Sequence, residues 1–339
     1  MVIYMTKYKW DIQKIRKLKQ ECITNPQIIN NKYLFNSQQE FCDILMKFYS
    51  INKPYNFIET EYDEEIINID DFKINVEALN IIESLNKELN NIKEKNNPYY
   101  NERIFLNNDQ LIELVREMVY LIPSNDLKES FDNFFNPKNH LINIDYKRFP
   151  IELHGITKTD YVNKICYAGI LRENSLNDII TILHEFFHMW IRNNEEYNFF
   201  KTKKVIYGEV EGCFANILIN QLSNQLGIDK DLFLYSIYDE FNYNISCLNN
   251  LHVYSSTLKT KNEKIYSNDF VWQATNDCMS YLIALDLYHL YQIDPEKALF
   301  ILLNIPNLAG QNIKKELENN NITFFQDNYK NLKKLYKSL

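Results

Sequence analysis

The chain has 339 residues, 45% of them hydrophobic and 14% aromatic, which describes a globular protein with a sizeable core rather than a disordered one. Its 37 Lys and Arg against 45 Asp and Glu leave a formal charge of −8, and no basic face recommends nucleic acid as a partner. No apolar run approaches the ~20 residues that span a bilayer, and none of the six glycines builds a phosphate-binding loop.

The opening segment, Met1 to Lys7, reaches charge too quickly for a signal peptide. Cys22, Cys42, Cys166, Cys213, Cys247 and Cys278 form no C-x-x-C pair and read as reduced thiols of a cytoplasmic protein with no membrane partner. Helical periodicity covers Tyr8 to Cys22, and Ser37 caps a second helix through Phe48. Pro54 and the acidic stretch Glu59 to Glu65 interrupt the pattern. A long amphipathic helix from Asn75 to about Asn96 stops at Asn97-Pro98, and another runs from Asp109 to Ile122 before Pro123. Residues 1–138 are therefore expected to form a helical N-terminal region covering a cleft, and 139–339 a region that carries the chemistry.

After Asn136-Pro137 the periodicity changes. Ile142 to Ile156 and Tyr161 to Leu171 alternate in part with period two, and Gly155 to Asp160 can turn between them. This predicts a β-hairpin feeding the next helix. An edge strand in such a place can pair with an extended peptide, or simply brace the helix. His154 lies on the hairpin as a minor candidate for substrate contact.

The next helix is predicted to start at Ser175-Leu176-Asn177-Asp178 and to run to about Arg192. It contains His184-Glu185-Phe186-Phe187-His188, a His-Glu-x-x-His pattern. Positions i and i+4 share a helix face, so two imidazoles can hold one ion while Glu185 lies beside it. Zinc in such a site can bring the pKa of a bound water down to about 7, with the carboxylate as its base. With only six His in the chain, random placement would give on the order of 0.01 such matches, so the pattern is read as a metal site.

A catalytic zinc needs a third protein ligand. The following helix, read from Val205 to about Leu226 with Gly227 at its end, offers Glu209 and Glu211. Periodicity does not choose between them, because each flanks the apolar stripe. Gly212 and Cys213, three and four residues beyond Glu209, permit close helix approach on its side. A carboxylate on an apolar face needs a partner, which a metal would provide.

The run Asp178 to His188 resembles the zinc helix of the oligoendopeptidase F and thimet-oligopeptidase family. Gly208-Glu209-Val210-Glu211-Gly212-Cys213 is similar to the family's Ala-Glu-(Val/Ile)-Ala-Ser-Thr segment, whose Glu is the third zinc ligand and matches Glu209. Phe270-Val271-Trp272-Gln273-Ala274-Thr275 resembles a Tyr-Val-Tyr-Gln-Tyr-Ala-Thr-Gly stretch, and Leu282 to Gly310 resembles the closing helices. The resemblance covers roughly Asn139 to Asn312. It implies a mainly α metallopeptidase with a small β-hairpin or sheet beside the His-Glu-x-x-His helix and a deep peptide-binding channel. Zinc held by His184, His188 and Glu209, with Glu185 as general base, is what it implies for the site.

Two departures accompany the resemblance. Phe187 stands where family members usually have Gly. The Tyr- and His-rich substrate segment is reduced to Ile265-Tyr266-Ser267-Asn268-Asp269-Phe270. Tyr266 is the first candidate for an oxyanion donor, with Tyr281, Tyr254 and His252 behind it. The expectation is a zinc-dependent peptidase acting on extended peptides. The alternatives are a maturation protease dedicated to one partner peptide and a catalytically weakened peptide-binding protein.

Overall fold

In the computed structural model, the described residues are 106–144, 154–160, 165–193, 208–228 and 270–308, with Phe233, Tyr243 and Asn319. The helices expected before residue 106 lie outside them. Close packing sorts the chain into two units.

The first unit opens with α1, Asn108–Tyr120. Asn107 and Gln110 cap it reciprocally: the Asn107 side chain accepts from the Gln110 N–H at 2.9 Å, and the Gln110 side chain accepts from the Asn107 N–H at 3.0 Å. Helix α2, Asn125–Phe134, was not among the expected helices. Its signal is present: Ser124 accepts from the Leu127 N–H, and Leu127, Phe131 and Phe134 recur at helical spacing on its buried face. Asp132 fastens the two helices, accepting from Arg116 and from the Tyr120 hydroxyl.

A three-stranded sheet follows, with strands β1 (Ile142–Ile144), β2 (Gly155–Asp160) and β3 (Ile165–Ile170) in the order β1-β3-β2. Strand β1 runs parallel to β3, and β2 runs antiparallel to it with Thr157 opposite Ala168. The expected hairpin is corrected: Ile142–Ile144, from the stretch expected as its first arm, runs parallel to β3, and the antiparallel partner of β3 is the stretch expected as the turn. Gly155–Asp160 is a strand rather than a turn, and its Gly and Asp ends resemble turn residues although β-branched Ile156, Thr157 and Thr159 favour extension.

Helix α3, Asn177–Arg192, packs against β2, β3, α1 and α2. Ile179, Ile182, Leu183, Phe186, Phe187, Met189, Trp190 and Ile191 are all buried, so the helix is apolar around most of its circumference. Phe186 meets the Phe131 ring edge-to-face at 4.9 Å, and Phe187 meets Phe186 and Trp190 in the same manner at 5.8 Å each. The bulk at Phe187 is thus absorbed by an aromatic cluster. Trp190 Nε1 also donates to Asp126 at 2.7 Å, joining α3 to the first turn of α2.

The start of α3 differs from expectation. Leu176 is the N-cap and offers no side-chain bond. Ser175 Oγ accepts from the Asn177 N–H, while Asp178 folds back to accept from the N–H groups of Glu173 and Asn174. Arg172 pairs with Asp178 at 2.9 Å and also donates to Asn108 and the Leu106 carbonyl. Burial pushes the Asp178 carboxyl above its ordinary value, against the lowering by Arg172 and the two backbone donors.

The second unit contains α5, Phe270–Ile293, packed against α6, Pro295–Leu308. Asp294 accepts from the Lys297 N–H ahead of Pro295, which occupies the first helical position. Helix α4, Val210–Gln225, begins in the second unit and ends in the first. It stops two residues before Gly227, whose φ of +70° lies in the left-handed region that glycine adopts without a Cβ clash. No helix among the described residues is long and apolar enough to cross a membrane.

Candidate metal centre

His184 and His188 lie one turn apart on α3, and their Nε2 atoms approach to 3.0 Å. Glu209 immediately precedes α4, in a turn that also places Gly208. Its backbone N–H donates to Ser280 Oγ on α5 at 3.4 Å, and its carbonyl accepts from Cys213 as the first bond of α4. One ligand atom from each of His184, His188 and Glu209 lies within 4.8 Å of the other two. Glu211, the alternative, is buried and not part of that group.

The donor set fits a catalytic zinc ion. Two imidazoles and one carboxylate are a recognised ligand combination, and tetrahedral bonds of about 2.0–2.1 Å put donor atoms roughly 3.3 Å apart. The 3.0 Å between the two Nε2 atoms is close to that spacing. Binding one ion through both requires each ring to carry its proton on Nδ1. Arg192, one turn beyond His188, donates to the Thr157 carbonyl at 3.2 Å; its other amino group stands 3.4 Å from His188 Nδ1, a contact between two donors when that nitrogen carries the proton.

Glu185 is held by the sheet. Its carboxylate Oε2 accepts from the Thr157 hydroxyl at 2.6 Å, and both residues are buried. Gly155 lies beneath the same side chain: a Cβ there would stand 2.6 Å from Glu185 Oε1 and 2.7 Å from its Cγ. The close approach of α3 to β2 therefore depends on the absence of a side chain at 155.

Neither Thr157 nor Gly155 stood out in the sequence, although an isolated Gly within a β-branched stretch is a known mark of close backbone approach. Arg192 likewise went unmarked. Tyr266, Tyr254 and His252 lie outside the described residues. Tyr281 is fully buried within α5. His154 is exposed and pairs with Glu173 at 2.9 Å.

No protein-family model and no curated protein sequence matches the chain. Among solved structures, it is similar to a crystal structure named for oligoendopeptidase F from Bacillus anthracis str. Ames, at 14% identity and a TM-score of 0.51, covering 78% of this chain and 56% of that one. A 3.1 Å X-ray structure named for oligoendopeptidase F is similar at 10% identity and a TM-score of 0.54, covering 79% of this chain and 59% of that one. These likenesses establish an oligoendopeptidase F-like fold, mostly helical with a small sheet, of which this chain spans a little over half the neighbours' length.

Proposed function

We propose that the chain is a zinc-dependent peptidase that hydrolyses peptide bonds in extended peptides. The observation that carries this reading is the convergence of His184, His188 and Glu209 donor atoms, with Glu185 the residue next to His184 on the same helix. The oligoendopeptidase F-like fold supports it.

His184, His188 and Glu209 hold the ion, two through neutral imidazole and one through carboxylate. When bound, zinc supplies a Lewis acid that polarises the scissile carbonyl and makes water a nucleophile near neutral pH. Glu185 takes the proton from the attacking water and passes it to the leaving amine, so one carboxylate serves both transfers. Tyr266 is the assigned phenol donor to the developing oxyanion.

Substrate would lie along β2, an edge strand among the described residues. A β-residue's N–H and C=O point to the same side of the ladder. His154 bonds inward to Leu171, so Gly155, Thr157 and Thr159 direct their backbone groups away from β3. The Gly155 and Thr159 groups and the Thr157 N–H offer pairing to an extended chain beside Glu185, the Thr157 carbonyl being held by Arg192.

The deciding experiment compares wild type, His188→Ala and Glu185→Gln for zinc content and for cleavage of a quenched-fluorescent peptide library. The proposal expects about one zinc per chain, lost in His188→Ala. It expects zinc retained in Glu185→Gln with turnover down about 10²–10⁴-fold. Wild-type turnover in Glu185→Gln, or full zinc in His188→Ala, overturns it.

A further inference from the structure

We propose that Thr157 is a positioning residue for the general base: it anchors one oxygen of Glu185 and so dedicates the other to proton transfer. This rests on the peptidase reading above. The relation itself is drawn from strand β2 and helix α3, which lie 28 residues apart in sequence at the two contact points.

Glu185 is 7% exposed and Thr157 6%. A carboxylate so buried needs a donor, and the Thr157 hydroxyl supplies a short, charge-assisted bond to Oε2 at 2.6 Å. The same hydroxyl stands 3.3 Å from the Glu185 carbonyl, so its single proton belongs to the carboxylate. Oε1 lies over the bare Cα of Gly155 and makes no hydrogen bond among the described residues. The two oxygens are therefore unequal before any substrate arrives.

The anchor is itself fixed on three sides. Thr157 is β-branched and stiff about χ1, its neighbours on β2 are laddered to β3, and its carbonyl accepts from Arg192. A free Glu side chain samples several rotamers, whereas the Thr157 bond and the close approach of Gly155 favour one orientation here. Orientation of a reacting group to within a fraction of an ångström is worth on the order of 10²-fold in rate.

The test uses the full-length protein with Thr157→Val, which keeps shape and removes the hydroxyl, and Thr157→Ser, which keeps the hydroxyl. Thr157→Val should lower kcat about 10–10²-fold with KM and zinc content near wild type. Thr157→Ser should recover most of kcat. In a Glu185→Gln background, Thr157→Val should cause no further loss. A second readout is independent of turnover: urea unfolding of Thr157→Val in wild-type and Glu185→Ala backgrounds, where the valine should cost stability only while Glu185 is present.

Wild-type kcat in Thr157→Val, no recovery in Thr157→Ser, or additive unfolding effects overturns the assignment. If wild type cleaves peptides and the unfolding effects are additive, only the Thr157 role falls. If wild type binds zinc and cuts nothing, the peptidase reading falls and the positioning role with it.

Discussion

Replacing Gly155 by alanine adds one methyl group at the place where β2 and α3 come closest. Backbone strain does not enter, because Gly155 is not among the glycines with positive φ. The added Cβ would stand 2.6 Å from Glu185 Oε1 and from Thr181 Cγ2, whereas ordinary contact begins at 3.4 Å. Relief therefore asks for about 0.8 Å of movement, and the Glu185 carboxylate is the softer neighbour. Movement on that scale disturbs the 2.6 Å bond from Thr157, whose useful range ends near ~3.0 Å. A base displaced by this much should lose roughly 10²-fold in kcat/KM, or about 2.7 kcal/mol in the transition state. Overpacking costs about 1–3 kcal/mol of stability, offset by about 0.4–1 kcal/mol from the stiffer unfolded chain. The assay is cleavage of a quenched-fluorescent peptide, with zinc content and thermal unfolding measured on the same preparations. A Gly155→Ala protein that is folded, zinc-loaded and as fast as wild type would refute the placement of the carboxylate over β2.

Gly227→Ala provides the opposite case: nothing lies within 4 Å of its Cβ, but φ is +70°, so about 1 kcal/mol of stability should be lost with activity unchanged. Glu209→Gln should weaken zinc retention against a competing chelator more than Glu211→Gln, and the reverse order would transfer the ligand role. Arg172→Met should destabilise the fold by about 3–5 kcal/mol, because it strands Asp178 as a buried unpaired charge. Burial already holds that carboxyl above its ordinary value, and losing Arg172 removes its leading counterweight. A raised folded-state pKa favours the fold at low pH, so urea midpoints of Arg172→Met should recover on acidification toward pH 4 and fall as pH rises from there.

The features legible in the sequence are those confined to one helical segment. His184, Glu185 and His188 fall within five consecutive positions, and helical geometry alone sets the two imidazoles side by side. Gly227 announced the end of α4 for an equally local reason. Thr157 could not be found in this way: threonine is common in strands, and its partner is fixed only when β2 docks on α3. Asp178 was read as a helix-start residue from its position, whereas its actual bonds run backward to residues 173 and 174 and to Arg172. The strand boundaries moved because Gly155 and Asp160 resemble turn residues when their neighbours across the sheet are unknown. Helix α2 has an ordinary cap and apolar spacing, but Pro123 and Pro137 on either side of it carry the stronger local signal, that of chain breaks.

The outer side of β2 has a bearing on how the protein behaves in concentrated solution. An open strand edge is a template for a second copy of itself, and sheet proteins commonly blunt such edges to avoid aggregation. Here the middle outward carbonyl, that of Thr157, is already taken by the Arg192 guanidinium. In a six-residue strand that is an edge among the described residues, this interrupts the row of outward groups at its centre. A second β2 could not zip along the full edge without first displacing a charged side chain. Shortening Arg192 to alanine would reopen the row, and the first sign should be a concentration-dependent rise in light scattering rather than a fall in melting temperature.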